Sequence, residues 1–508
     1  MSDLSDAAKR LLLGRPVRSD RLGHTLLPKR IALPVFASDA LSSVAYAPDE
    51  ILLTLSLAGM AALVFSPWVG LAVVAVMVVV VASYRQNVHA YPSGGGDYEV
   101  ATTNLGKNAG VTVASALLVD YVLTVAVSIS SGAQYAASAF PALRGHEATF
   151  AVGLVVLLTV ANLRGVKESG RVFALPVYLF MLAIGSIAVI GSIQLLTGNL
   201  TMAESSGYEL APDAAFDQGL TGLAGFFLIL RAFASGCAAL TGVEAISNGV
   251  PAFKKPKSRN AATTLALLGG LSIVMIMSIL LLSRATGVVF ADDPQTQLLE
   301  DGVPVGESYV QHPVISQLSS AVFSGVPVVA VLVAIVTGLI LVLAANTAFN
   351  GFPVLGSILA RDGYLPRQLH TRGDRLAFSN GIVTLALVAI ALIWAFDAQV
   401  TRLIQLYIVG VFVSFTVSQL GMVRHWTRHL RTEPDPARRT RMKRSRIINS
   451  VGLAMTRRCS SWCSSPSSRT ARGSPSWRWS SSTSSCSPST ATTRWCAPSW
   501  RWAPTQRR

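Results

Sequence analysis

The sequence predicts an all-α polytopic membrane protein whose ten spans divide into two five-span halves of opposite orientation. Three observations carry this prediction. Of the 508 residues, 51% are hydrophobic and only 13% are charged, against about 25% charged in a soluble domain, and the mean hydropathy is +0.50. Ten apolar stretches, at 33–58, 66–84, 112–140, 149–163, 172–196, 222–249, 262–284, 325–349, 380–397 and 402–424, come near the roughly 20 residues that a bilayer core demands. The loops between them alternate in charge.

The first 30 residues read as a basic cytosolic tail, carrying Arg10, Arg15, Arg18, Arg21, Lys29 and Arg30. The first apolar run is too long for the h-region of a cleavable signal peptide. Arg85 and Lys107 follow span 2, and Arg164, Lys167 and Arg171 follow span 4. Lys254, Lys255, Lys257 and Arg259 follow span 6, and Arg361, Arg367, Arg372 and Arg375 follow span 8. The loop after span 5 carries Glu204, Glu209, Asp213 and Asp217, and the loop after span 7 carries Asp292, Asp293, Glu300, Asp301 and Glu307, with no Lys or Arg in either. Basic loops stay on the cytoplasmic side, so the N-terminus is expected to be cytoplasmic, in a multi-pass protein of the plasma membrane. The same distribution places the net charge of +16 in loops and tails, which argues for membrane topology and against nucleic acid as a partner. Four of the five cysteines lie beyond residue 458, so no disulfide framework is implied.

Five spans per half is an odd number, which inverts the second half relative to the first. This is the inverted-repeat plan of many transporters, whose first helices in each half are interrupted around a central site. Spans 1 and 6 are alike in the expected way. FASDALSSVAYAPDEI (Phe36–Ile51) interrupts span 1 with Asp39, small hydroxyls, Tyr46 and Pro48. ASGCAALTGVEAISNGVP (Ala234–Pro251) interrupts span 6 with Gly236, Gly242, Gly249 and Glu244. Both helices 1 and 6 are therefore expected to be broken. The domain plan is a tail at 1–30 and a ten-span core at 31–426, with repeat one about 31–196 and repeat two about 222–426. A basic cytosolic segment follows at 427–456, and then a tail of different character at 457–508.

A carboxylate inside an apolar helix costs roughly 2.5–3.5 kcal/mol on insertion scales and is by default a functional residue. Asp39, Asp120 and Glu244 all sit deep in apolar spans. In span 3, Asp120, Thr124, Ser128 and Ser131 recur at three- and four-residue spacing and form one polar stripe, with Tyr121 beside it. Thr241 precedes Glu244 in span 6, and Tyr407 lies in span 10. Carboxylates, hydroxyls and the carbonyls of a broken helix are hard oxygen ligands suited to a small cation. Alternatives stand beside this reading. Asp39 or Asp120 could pair with Arg231 in span 6 or cap a half-helix. Thr124, Ser128 and Thr241 could serve only helix packing, and Tyr407 could be an interfacial aromatic.

YPSGGGDYEV (Tyr91–Val100) is a glycine turn under the inner gate rather than a phosphate loop, because it lacks the GxxxxGK[ST] pattern. No HExxH, paired CxxC or GxSxG motif occurs. The chain is not expected to be an enzyme, and no cofactor is implied.

SDALSSVAYAPDEIL, YPSGGGDY, VDYVLTVAVSISSG, SGCAALTGVEAISNGVPAFK and LARDGYLPRQL, in that order and spacing, resemble the amino acid–polyamine–organocation (APC) superfamily. Within it they are similar to the KimA-like branch of the KUP potassium/proton symporters. The resemblance covers about residues 15 to 455 and implies the LeuT-type 5+5 inverted repeat and proton-coupled potassium uptake. It implies K⁺ binding by Asp39, Tyr46, Asp120, Tyr121, Thr124, Ser128, Thr241 and Tyr407, with proton coupling at Glu244. It also implies a homodimer formed through a cytosolic C-terminal domain. Two alternatives stand beside this reading: an amino acid or polyamine permease on the same fold, and a transport-inactive membrane sensor or truncated product.

After about Thr456 the chain is built mainly from Arg, Ser, Cys, Trp, Thr and Pro, and six of the nine tryptophans fall there. A serine-rich disordered tail does not normally hold so many tryptophans. With GC-rich codons, a frame displaced by two bases turns residues 457 onward into two apolar runs joined by a short polar loop. The expectation is a frameshifted, disordered tail at 457–508 that replaces two further spans and the dimer-forming domain.

Overall fold

The computed structural model describes residues 29–463, except 95, 165–169, 214–215, 217–219, 221, 307–308 and 371–377. The N-terminal tail through residue 28, the loop charges Lys167, Asp217, Glu307, Arg372 and Arg375, and residues 464–508 lie outside the described residues.

The ten apolar stretches are helices, since in lipid a chain must satisfy its own backbone groups. They are α1 (Lys29–Ser56), α2 (Ser66–Ala90), α4 (Lys107–Ala139), α5 (Glu147–Leu163), α6 (Gly170–Thr197), the pair α7 (Gly222–Gly236) and α8 (Val243–Asn248), α9 (Lys257–Ala285), α11 (Pro327–Arg361), α12 (Ser379–Ala395) and α13 (Val400–Thr432). Between them lie α3 (Gly96–Leu105) and α10 (Val314–Val322), and α14 (Pro436–Cys463) follows. Seven segments among the described residues are long and apolar enough to cross a membrane: Met60–Ala90, Lys107–Ala139, Phe173–Thr197, Gly222–Asn248, Lys257–Ala285, Pro327–Arg361 and Val400–Thr432. α5 and α12 are shorter apolar helices. α1 is less apolar because it carries Lys29, Arg30, Asp39, Asp49 and Glu50. The protein is an all-α multi-pass membrane protein.

α1 is the central helix. Every residue from 37 to 59 is buried, and α6, α7, α9 and α11 surround it. Outer helices present apolar side chains outward instead: Leu196 on α6 is 87% exposed, Leu223 on α7 76% and Trp394 on α12 74%. A surface so rich in exposed apolar groups belongs against lipid.

The two acidic loops meet on one side of the bundle. Strand β1 (Glu209–Leu210), after α6, pairs antiparallel with β2 (Leu298–Glu300), after α9, placing Leu210 opposite Leu298. β2 then pairs with β3 (Val303–Pro304).

Of the two expected breaks, only that in span 6 is present. α1 runs unbroken from Lys29 to Ser56 through Pro34 and Pro48. Ser42 and Ser43 donate their hydroxyls to the Asp39 carbonyl, at 2.7 and 3.1 Å, which ties the polar stretch into the helix instead of opening it. The Tyr135 hydroxyl reaches the Ala45 carbonyl at 3.1 Å, a side-chain donor beside the position where Pro48 lacks an N–H.

The segment expected at 427–456 divides in two. α13 continues to Thr432, and α14 passes Thr456 to end at Cys463. α14 packs on α13 and α2. Asn449 and Thr456 are fully buried there, with Asn449 joined to Ser83 and, at 2.5 Å, to Gln86.

Candidate functional site

The break in span 6 supplies the site. α7 ends at Gly236, Cys237–Leu240 form one 3₁₀ turn, and α8 restarts at Val243. The hinge residue Gly242 has φ 79° and ψ −7°, left-handed backbone that glycine adopts without a steric penalty. A Cβ there would lie 2.5 Å from the Ala40 nitrogen and 3.0 Å from the Asp39 carbonyl carbon. The unwound segment therefore sits directly on the Asp39–Ala40 backbone of α1.

Side chains bridge the same contact. Ser43 Oγ is 2.6 Å from Thr241 Oγ1 and 2.7 Å from Tyr46 Oη. Thr241 Oγ1 also donates to the Ala238 carbonyl at 2.9 Å. The Gly242 N–H donates to Glu244 Oε1 at 3.3 Å, so the start of α8 is closed by its own carboxylate.

α4 brings the polar stripe to face this hinge. Asp120, Thr124 and Ser128 are each at most 2% exposed. Thr124 Oγ1 lies 2.9 Å from Tyr407 Oη on α13, and Tyr407 is fully buried rather than interfacial. Asp120 lies within electrostatic reach of Glu244, Asp39 and Asp97, and Tyr407 within reach of Asp120, Asp39 and Glu244. The three intramembrane acids thus share one region. Arg231 lies instead within reach of Glu50.

Asp39 Oδ1, Asp120 Oδ1, Ser128 Oγ and Glu244 Oε2 are buried oxygens with no hydrogen-bond partner among the described residues. A buried carboxylate without a partner is costly unless a cation meets it or a proton cancels it. Among the described residues no three His, Cys, Asp or Glu side chains converge as a metal-chelating cluster. The donors are carboxylates spread among hydroxyls, a set suited to a weakly hydrated monovalent ion and to proton exchange.

Tyr121 is placed differently from the other site residues. Its ring packs on α11, where a Cβ at Gly351 would lie 2.6 Å from it, while it stays within electrostatic reach of Glu244 and Asp120. The glycine turn at Tyr91–Val100 abuts the end of α8, since a Cβ at Gly96 would overlap the Asn248 side chain.

Two contributors escaped the sequence reading. Ser43 is one of several small hydroxyls on α1, and nothing local marks it as the bridge to Thr241. Asp97 is fully buried and accepts hydroxyl bonds from Tyr84, Ser418 and Ser414 at 2.6, 2.7 and 2.9 Å. Its place in the motif GGGDY was visible, but its partners on α13 were not.

The sequence profile of the family described as amino acid permease matches residues 35–456. The potassium transporter KimA of Bacillus subtilis (strain 168) is 44% identical over 418 residues, covering 82% of this chain and 64% of that protein. The chain thus spans less than two thirds of that relative's length. Crystal structures of two manganese transporter mutants from Eremococcus coleocola align at 14% and 13% identity with TM-scores of 0.38 and 0.37. Each covers 84% of this chain, and 86% and 85% of the transporter.

Proposed function

The chain belongs to the amino acid permease family, and from that premise we propose that it is a secondary active transporter importing K⁺ with H⁺ by alternating access. The observation that carries the reading is the set of four buried oxygens on Asp39, Asp120, Ser128 and Glu244 that have no hydrogen-bond partner among the described residues. A cation and a proton are what such a set lacks. The relative at 44% identity is a potassium transporter, which agrees with it.

In this reading K⁺ is held by Asp39 and Tyr46 of α1, by Asp120, Thr124 and Ser128 of α4 with Tyr121 alongside, by Thr241 at the hinge, and by Tyr407. Glu244 carries the proton. It sits at the first turn of α8 with one oxygen on Gly242 N–H and the other without a partner. Protonation there alters both the hinge contact and the charge facing Asp120, which couples proton movement to ion binding. The N-terminus is cytoplasmic in a plasma-membrane protein, supported by the basic even-numbered loops and by the pairing of the two acidic loops on one side.

An amino acid permease would use the N–H groups opening α8 to hold a substrate carboxylate. Here Glu244 already takes the Gly242 N–H, which favours a cation. The serine- and tryptophan-rich register after Thr456 is an out-of-frame product in this reading. Resequencing the gene around codon 456 tests that, and one intact frame through to the stop would sink it.

Expression in a host deficient in K⁺ uptake tests the main proposal. Growth at low K⁺ should be rescued by the wild type and lost in Asp120→Asn and Glu244→Gln. Rescue by both variants at the wild-type level would remove these residues from the mechanism. Uptake of labelled amino acids or polyamines without K⁺ transport would replace the proposal with a permease.

A further inference from the structure

A cavity of about 460 Å³ lies beyond Tyr46 toward the paired acidic loops. Its wall includes Asp49 and Glu50 of α1, Asp292 and Asp293 from the loop after α9, and Thr401 and Arg402 at the start of α13. Tyr46 is shared: it lines this cavity while its hydroxyl is bonded to Ser43 in the central site. Ten residues of helix separate Asp39 from Asp49, about 15 Å at the helical rise, so the two sites are distinct.

The exposed acids of the loop would not by themselves make a site. Asp49 and Glu50 add a second observation. They are only 9% and 2% exposed, and Asp49 Oδ1 and Glu50 Oε2 have no hydrogen-bond partner among the described residues. The other Glu50 oxygen accepts the Thr401 hydroxyl at 2.6 Å, and Asp49 also meets the Val314 backbone amide. These contacts hold both carboxylates in place and leave one oxygen of each unmet. Arg402 on the wall and Arg231 near Glu50 offset only part of the charge of four carboxylates. The lining also includes Ser131 and Gln134, oxygen donors that suit a monovalent cation, while Gln311 holds the Ala291 backbone through both ends of its amide.

We propose that this cavity is a second monovalent-cation site, where Asp49 and Glu50 hold an ion at the mouth before it passes Tyr46 to the central site. The assignment deepens the cation-transport reading and rests on it for the direction of travel. The binding itself does not depend on that direction.

Equilibrium binding of radioactive rubidium to the purified full chain, at ionic strength balanced with choline chloride, separates the two claims. The wild type should bind two ions. Asp49→Asn with Glu50→Gln should lose one, and Asp120→Asn with Glu244→Gln should lose the other. In K⁺ uptake the mouth variant should raise the half-saturating concentration by about tenfold or more, the loss of two carboxylate charges each worth about fivefold in affinity at contact distance even in a water-like dielectric, with the maximal rate held within about twofold. Asp292→Asn with Asp293→Asn alters only exposed loop residues and should raise half-saturation by a smaller factor, which guards against a misfolded core variant. Retention of two bound ions in Asp49→Asn with Glu50→Gln would overturn the mouth site, as would unchanged half-saturation in both that variant and the loop variant. Loss of rubidium from the mouth variant while the central variant still binds and transports would leave the mouth site standing and defeat the central reading.

Discussion

Replacing Gly242 by alanine adds one methyl group at the hinge between α7 and α8. Two separate costs follow from the structure. The residue has φ 79°, and left-handed backbone costs a non-glycine residue roughly 1–2 kcal/mol. The new Cβ would also lie 2.5 Å from the Ala40 nitrogen and 3.0 Å from its Cα. These are backbone atoms of the central helix, so no side chain can turn aside to relieve the contact. Overpacking of this kind costs typically about 1–3 kcal/mol. The sum is about 2–5 kcal/mol, and relief requires the hinge to move away from Asp39. Both stability and ion binding should therefore suffer. The assay is thermal melting of the detergent-solubilised protein followed by size-exclusion chromatography, paired with K⁺ uptake. Gly185→Ala is the control: it lies inside α6 with nothing within 4 Å of its added Cβ, so it should be neutral or slightly stabilising. At no more than about 2–4 °C per kcal/mol in a chain of this size, Gly242→Ala should lower Tm by several degrees and abolish uptake. Melting and uptake equal to the Gly185→Ala control would refute the claim that the hinge is seated on α1.

Three further outcomes are expected. Thr124→Val removes the hydroxyl that meets Tyr407 at 2.9 Å, leaving a buried phenol without that partner; it should cost about 1–3 kcal/mol and weaken K⁺ uptake, and wild-type melting together with wild-type uptake would count against the contact. Asp97→Asn replaces an acceptor-only carboxylate facing three hydroxyls with a group that has one acceptor oxygen; a loss of about 1–3 kcal/mol should appear as a lower Tm, and an unchanged Tm would show that the hydroxyls simply reorient. Burial, with Arg144 nearby, holds His312 below its ordinary 6.5. The unfolded chain then takes a proton on this side chain at pH values where the folded chain does not, so stability should fall as pH drops below 6.5. Melting of the wild type should decline more between about pH 8 and about pH 5.5 than melting of His312→Gln, and parallel curves would exclude His312 as a source.

Which parts of the chain form apolar helices was legible without coordinates, and seven segments among the described residues are long and apolar enough to cross a membrane. A bilayer acts on each stretch as a solvent, through length and apolarity alone, so the ten apolar runs are helical, the sixth as the pair α7 and α8, with ends displaced by up to about a dozen residues at α11. The same logic exposed Asp39, Asp120 and Glu244, because a carboxylate among apolar residues is visible in one dimension. The likeness of spans 1 and 6 was legible too, but it overstated span 1. Pro48 and the small hydroxyls looked like a break, whereas back-bonded Ser42 and Ser43 keep α1 helical. Asp49 and Glu50 were in plain view in the same stretch, yet they became a cavity wall only where Thr401 and the loop carrying Asp292 fold over them. Composition and spacing thus determined the class of protein, its apolar helices and its costly acids, because insertion energy is summed locally along the chain. The bridge from Ser43 to Thr241, the seat of Gly242 on Ala40 and the hydroxyls around Asp97 were decided only by tertiary structure. A hydrogen bond or a steric contact depends on distance through space, and Thr241 lies 198 positions from Ser43, and Ser414 and Ser418 lie 317 and 321 from Asp97.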